Sequence, residues 1–289
     1  MKHEKAIDNW LAQRLPTAIT AFTMFVIKQG WACLFGGSLL LAVIMTKLIW
    51  QDHWLLARYD ALALIAIGLQ IHFLWMRLES WNEAKVIALF HATGTLMEIF
   101  KVSVGSWSYP EPGLFKLYDV PLFSGFMYAA VGSYMARVIR LFDMTFAPFP
   151  LMIWHFGLAI AIYLNFFMHH YFWDARHLLF LGTLLLYART RIYFRIGARW
   201  YWMPLPLAAF LSSLVLWIAE NIGTFTGTWV YAGQSALELV RIDKIESWYL
   251  LLFVAFATVT LIKRDVLKQS PVAPIQPEPA HLSPVMRTR

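Results

Sequence analysis

Apolar residues along this chain come in runs too long for strands and too continuous for one face of a soluble helix. Runs of about 17 to 20 residues, enough to carry a helix across a bilayer core, lie near 30 to 50, 56 to 76, 84 to 104, 120 to 140, 148 to 168, 176 to 194, 202 to 222 and 246 to 263, separated by charges, Pro and Gly. The pattern predicts an all-α polytopic membrane fold of eight transmembrane helices. Arg189, Arg191 and Arg195 shorten the apolar part of the sixth, and Thr17 to Ile27 reads as an additional interfacial helix. From Gln269 onward the chain has five prolines and no apolar run, so 269–289 is expected to be a disordered tail behind a single membrane domain, 1–268.

Composition agrees. Sixty per cent of the residues are apolar and 14% charged, against roughly 25% charged in an average soluble domain. The 22 Phe, 14 Trp and 12 Tyr suit lipid-facing surfaces with rings anchored at headgroup level. Cys33 is the one cysteine, which excludes an intramolecular disulfide and a thiolate cage built from one chain. The formal charge of +7 comes from basic residues placed between apolar runs, as topology signals are, so no nucleic-acid partner is expected. Glu4 and Asp8 break the basic-then-apolar order of a secretory signal, so no removed leader is expected.

The basic residues also set an orientation. With the amino terminus in the cytoplasm, Arg77, Lys85, Arg137, Arg140, Arg189, Arg191, Arg195, Arg199, Lys263 and Arg264 fall on the cytoplasmic side. Arg58, Lys116, Arg176, Arg241 and Lys244 fall on the other. The positive-inside rule then places both termini in the cytoplasm of a bacterial inner-membrane protein.

One pattern occurs twice. Glu98-x6-Gly105-Ser106-Trp107-x-Tyr109 recurs as Glu220-x6-Gly227-Thr228-Trp229-x-Tyr231, and Asp119 and Arg140 have later counterparts in Asp243 and Arg264. Five matched positions read as an internal repeat, with halves of about 17–141 and 148–264. Four helices per half is an even number, so the halves insert in the same orientation about an axis along the membrane normal. Both copies then sit at the outer boundary and face each other.

Each part of the pattern has a physical reading. Gly105 and Gly227 let the backbone leave a helix, the neighbouring hydroxyl satisfies a freed backbone group, and Trp107, Tyr109, Trp229 and Tyr231 supply rings for a substrate. Glu98 and Glu220 lie about two helical turns deeper, roughly 10 Å, where an ionisable group is expected to face the bundle interior and serve as acid or base. A purely structural reading stands beside this: Glu98 paired with Lys101 three residues on, and the Trp-x-Tyr segments as interfacial anchors.

Other polar residues are weaker candidates. His91, two turns before Glu98, either extends a proton path or is a packed histidine. His169, His170, Asp174 and His177 either approach a zinc site or mark the interface, and without Cys or His-x3-His spacing no metal is expected. Asp60, His72 and His155 read as structural. The phosphate-binding, dinucleotide and nucleophile-elbow patterns are absent from the sequence, so no cofactor is expected.

As a whole the chain looks like the YoaT-like family of bacterial membrane proteins, with Gly105 to Glu111 and Glu220 to Tyr231 as the most specific stretches. That resemblance implies a membrane protein and no activity. More distantly, the repeated pattern resembles the Asp-x2-Ala-x3-Gly-x-Trp-x-Phe of integral-membrane lycopene cyclases and carotenoid hydratases, in which acid, Gly, Trp and aromatic share the spacing found here. Those enzymes protonate a polyene double bond in the bilayer. The cyclases continue with Pro-x-Glu-Glu, where this chain has Pro121-Leu-Phe123-Ser124 and Lys244-Ile-Glu246-Ser247, so only Glu246 matches one acid. The resemblance implies a cofactor-independent proton-transfer enzyme acting on a polyisoprenoid or other lipid. The competing expectation is a proton-coupled carrier or small-molecule binder.

Overall fold

The structure, a computed structural model, describes residues 10, 11, 13–51, 53–235 and 238–269; the expected tail lies almost wholly outside them. Nine helices form among the described residues: α1 Thr17–Ala32, α2 Leu34–Ile49, α3 Arg58–Trp75, α4 Trp81–Ser103, α5 Phe123–Leu141, α6 Met152–Met168, α7 Arg176–Leu186, α8 Leu205–Phe225 and α9 Lys244–Thr260. Short strands join them: β1 Trp107–Ser108, β2 Lys116–Leu117, β3 Val120–Pro121, β4 Thr145–Ala147, β5 Arg191–Ile196, β6 Arg199–Pro204 and β7 Val230–Tyr231.

The protein is mostly helical, as expected, and its helices differ widely in length and charge. Two helices, α4 and α8, are each long and apolar enough to cross a membrane, and α1 with α2, bent by 69°, would make a third. The others fall short on length or carry charges: α7 has 11 residues, while α3 begins with Arg58 and Asp60 and α5 ends with Arg137 and Arg140. The expected helix over 176 to 194 stops at Leu186 because the residues after it alternate. Ile192, Phe194 and Ile196 are buried and Arg191 and Arg195 exposed, a period of two that makes a strand. This strand, β5, pairs with β6 and with β4 in an antiparallel sheet. The proposed interfacial helix over Thr17 to Ile27 is the first two-thirds of α1.

Local chemistry explains the ends of α4. Ser80 accepts from the Glu83 backbone N–H, and the Glu83 side chain accepts from the Ser80 N–H, a reciprocal cap. At the other end Gly105 takes a left-handed φ of +72°. Ser106 N–H then donates to Lys101 O at 2.9 Å and Gly105 N–H to Val102 O at 3.0 Å. Helix α8 ends identically, with Gly227 at φ +64°, Thr228 N–H on Gly223 O and Gly227 N–H on Thr224 O. Both glycines are thus the left-handed residue of a helix-terminating turn, where a side chain costs about 1 kcal/mol or more.

Helix packing is paired. Within the first half α5 packs on α2, α3 and α4; within the second α9 packs on α6, α7 and α8. Across the halves α5 meets α9, α2 meets α8 and α4 meets α6. At the end where α4 and α8 finish, β1 and β7 pair antiparallel, with Trp107 opposite Tyr231 and Ser108 opposite Val230. The β4–β6 sheet occupies the opposite end, from which α8 departs directly after Pro204. Large apolar side chains are exposed all along the bundle, among them Phe22, Leu48, Ile71, Ile153, Leu185 and Val215. An exposed apolar surface of this extent marks a membrane or interaction surface rather than a water-facing one.

Candidate functional site

The two copies of the repeated motif meet at the β1–β7 ribbon, and each folds back on its own carboxylate. The turn after α4 returns Trp107 and Tyr109 to Glu98 one element below. Glu98 Oε2 accepts from Trp107 Nε1 at 2.7 Å and from Tyr109 Oη at 2.8 Å, and its Oε1 accepts from Tyr128 Oη of α5 at 2.8 Å. Glu220 accepts from Tyr231 Oη and from Trp248 Nε1 of α9. Both glutamates are buried. A buried carboxylate is costly unless hydrogen-bonded, and five ring donors supply the bonds here. The Trp107 and Tyr231 rings meet edge to face, 5.7 Å apart. Tyr109 and Tyr231, outside the helices, have phenols held well above their ordinary range by burial and by the adjacent carboxylate, so they donate to the glutamates and do not ionise.

Of the residues expected from sequence, Glu98, Trp107 and Tyr109 come together, as do Glu220 and Tyr231. Trp229 plays a different part from Trp107. Its indole lies against Gly223, where a Cβ would fall 1.8 Å from the ring, so Gly223 exists to admit it. The structural pairing of Glu98 with Lys101 does not form. Lys101 turns away to His170 Nε2 at 2.8 Å and His169 Nε2 at 3.3 Å. Thr228 is fully buried and accepts from Arg58, while Tyr59 Oη donates to its carbonyl at 2.7 Å. Arg58 also reaches Glu111 at 2.7 Å, tying the loop after β1 to the second motif. Sequence reasoning had placed Arg58 only as an outer charge.

Tyr128 and Trp248, the remaining partners of the two glutamates, were not expected. They line an apolar cavity of about 270 Å³ between α4, α5, α6 and α9, with Gly94, Met97, Ala159 and Tyr163. The carboxylates sit behind these two rings and do not line the cavity themselves. Their rings stand 6.3 Å apart. Tyr128 fits because Gly94 faces it: a Cβ there would lie 2.6 Å from the ring. The only sequence signal was this glycine on the helix that carries Glu98.

The other candidates separate. Asp60 accepts the Leu114 and Phe115 N–H groups, and His155 lies between Tyr187 and Thr260, both structural roles as expected. His91 packs against Phe126, the rings tilted and their centres 4.3 Å apart. His177 bonds Glu246 at 2.9 Å and Asp174 bonds Arg176 at 3.0 Å, so the expected outer histidines and carboxylate do not converge. Among the described residues no three His, Cys, Asp or Glu side chains are placed to share a metal. Glu246, turned to His177, makes no acidic pair with Glu220.

Residues 21–256, which contain both motifs and the cavity, match the model of a family described as "Protein of unknown function (DUF817)". The chain is also similar to "Uncharacterized protein YoaT" of Bacillus subtilis (strain 168), 40% identical over 255 residues, which is 88% of this chain and 96% of that protein. No solved structure gives a significant match. By the extent of both matches, this chain belongs to the DUF817 family.

Proposed function

We propose that this is a multi-pass inner-membrane protein of two related, similarly oriented halves that transfers a proton to a lipid-soluble substrate. The observation that carries the reading is Tyr128, a residue that lines the apolar cavity while its hydroxyl is bonded to buried Glu98. Eight membrane-embedded segments, α2 to α9, with both termini cytoplasmic remain our arrangement, the shorter ones completed by their flanking turns. The matched helix contacts within and across the halves, and the pairing of the two motifs at β1 and β7, support the two halves as repeats.

Glu98 is the acid. In its protonated form, with the 2.8 Å contact to Tyr128 Oη reversed so that Glu98 Oε1 donates, it passes its proton to the Tyr128 oxygen as Tyr128 gives its own hydroxyl proton to one carbon of a substrate double bond. The resulting cation lies between the Tyr128 and Trp248 rings, whose faces favour positive charge. Loss of a proton from a neighbouring carbon back through Tyr128 restores Glu98 and shifts the double bond; addition of water in its place yields an alcohol, the proton that the added water loses returning through Tyr128 to Glu98. Glu220 is the basic member of the pair. Its negative charge behind the Trp248 ring opposes the positive charge that develops in the cavity. The wall is apolar, so the substrate class is a polyisoprenoid or another unsaturated lipid, and no cofactor enters the scheme.

The test is expression in a polyene-producing host followed by comparison of lipid extracts. Wild type is expected to alter the profile, and Tyr128→Phe and Glu98→Gln to reduce that change roughly a hundredfold or more. A profile identical in wild type and both variants would falsify the enzyme. Proton-coupled uptake into vesicles, lost in Glu98→Gln and Glu220→Gln, would favour a carrier instead.

A further inference from the structure

The helices that wall the cavity carry two lysines and an imidazole just beyond its edge. Lys101 is one turn from Met97 on α4, Lys244 one turn from Trp248 on α9, and His170 two turns from Tyr163 past the end of α6. They gather at the motif end. Lys101 Nζ lies 2.8 Å from His170 Nε2 and within electrostatic reach of Lys244 and Arg176. Ser106 Oγ stands 3.5 Å from the same imidazole.

Among the described residues no carboxylate is bonded to either lysine, although Asp174 acts on Lys101, and Glu220 and Asp243 on Lys244, at longer range. Lys101 is 3% exposed, and its partners are two imidazoles and the Phe166 ring at 4.2 Å. His169 Nδ1 faces Asn165 O at 3.0 Å; as the donor there, it leaves Nε2 to accept from Lys101. Lys244 lies over the Tyr231 ring at 4.6 Å. The nearby carboxylates are engaged elsewhere: Asp174 with Arg176 and Asn165, Asp243 with Arg241, Glu220 with Tyr231 and Trp248. A buried ammonium without a carboxylate is expensive, and its retention beside a second lysine suits an anion supplied from outside.

We propose that Lys101, Lys244 and His170 bind the phosphate headgroup of a lipid whose hydrocarbon chain occupies the apolar cavity. Lysine binds phosphate as a point charge, and two lysines with an imidazole N–H, spread over three elements, suit a group with three or more acceptor oxygens better than the two of a carboxylate. The chain then passes Tyr128 and Trp248 with its head fixed, which sets the double bond presented to the acid. This rests on reading the cavity as the substrate site, but binding is measured without turnover, so the two ideas fail separately.

The test uses the full chain in nanodiscs of zwitterionic lipid, with Trp fluorescence reporting binding of farnesyl monophosphate, farnesol and inorganic phosphate. Farnesyl monophosphate is expected to bind at least about tenfold more tightly than farnesol, and inorganic phosphate far more weakly than either. Lys101→Gln and Lys244→Gln should each remove most of that advantage while leaving farnesol binding unchanged, which also shows that the variants are folded. Ala159→Trp, which fills the cavity, should weaken both amphiphiles. Glu98→Gln should bind the phosphate normally. Equal affinity for farnesol and its phosphate, or unchanged affinity in both lysine variants, would overturn the proposal. Inorganic phosphate binding as tightly as farnesyl monophosphate would also overturn it, showing a site for the free ion rather than a lipid.

Discussion

Glycines decide how the rings are set. Gly94 and Gly223 occupy the positions where a Cβ would enter the Tyr128 and Trp229 rings, at 2.6 and 1.8 Å. Gly94→Ala and Gly223→Ala are therefore each expected to destabilise the protein by about 1–3 kcal/mol through overpacking, seen as lower thermal midpoints, whereas Gly37→Ala, inside α2 with no atom within 4 Å, should raise the midpoint slightly, since Ala favours a helix over Gly. The glutamates, Trp-x-Tyr rings and motif glycines were legible in the sequence because they recur. Tyr128 and Trp248 were not, because neither has a counterpart at the repeat spacing and the bonds that recruit them are tertiary. His170 carries a pH prediction. Desolvation and the adjacent Lys101 charge push its pKa down to about 4, with His169 and Lys244 adding repulsion and Asp174 opposing. The folded protein thus holds this proton more weakly than the unfolded chain does. Stability should fall as pH drops from the ordinary histidine value of 6.5 toward about 4 and change no further below that. His170→Gln should flatten that part of the stability profile, and an unchanged slope would contradict the assignment.

At the scale of elements, hydrophobic runs located the helices well where the run ended in a turn. The expected 84 to 104 became Trp81–Ser103, and 202 to 222 became Leu205–Phe225. The sixth run failed because apolarity alone does not separate a helix from a strand. Its final residues obey a period of two: Ile192, Phe194 and Ile196 alternate with Arg191, Tyr193 and Arg195, a pattern that a count of apolar residues does not register. The juxtaposition of the motifs was expected, and the β1–β7 ribbon gives it a register. Cysteines replacing Ser108 and Val230 in a Cys33→Ser background should cross-link under mild oxidation, since these residues are directly opposite and paired strand residues bring their Cβ atoms to about 4.5–5.5 Å. A pair at 108 and 233 serves as the control. Equal yields from both pairs would argue against the ribbon.

For the whole molecule, the topology we propose puts the β2–β3 turn and the β5–β6 turn on opposite faces of the membrane. Single cysteines replacing the exposed Tyr118 and Ala198 should show this: an impermeant maleimide should label the first in intact spheroplasts and the second only after lysis. Labelling of both from one side would reverse the topology of one half. The proposed orientation rests on the arginines and lysines of the sequence; the cavity has no such signal, because it forms only where α4 and α5 meet α6 and α9. The central claim is that this cavity delivers a proton from Glu98 through Tyr128 to carbon. The direct measurement is to incubate the reconstituted protein with total host lipid in heavy water and follow lipid masses after back-exchange in ordinary water. The account predicts that at least one unsaturated lipid retains deuterium with wild type and not with Tyr128→Phe or Glu98→Gln. Carbon-bound deuterium in no lipid, or in equal amounts with all three proteins, would contradict it.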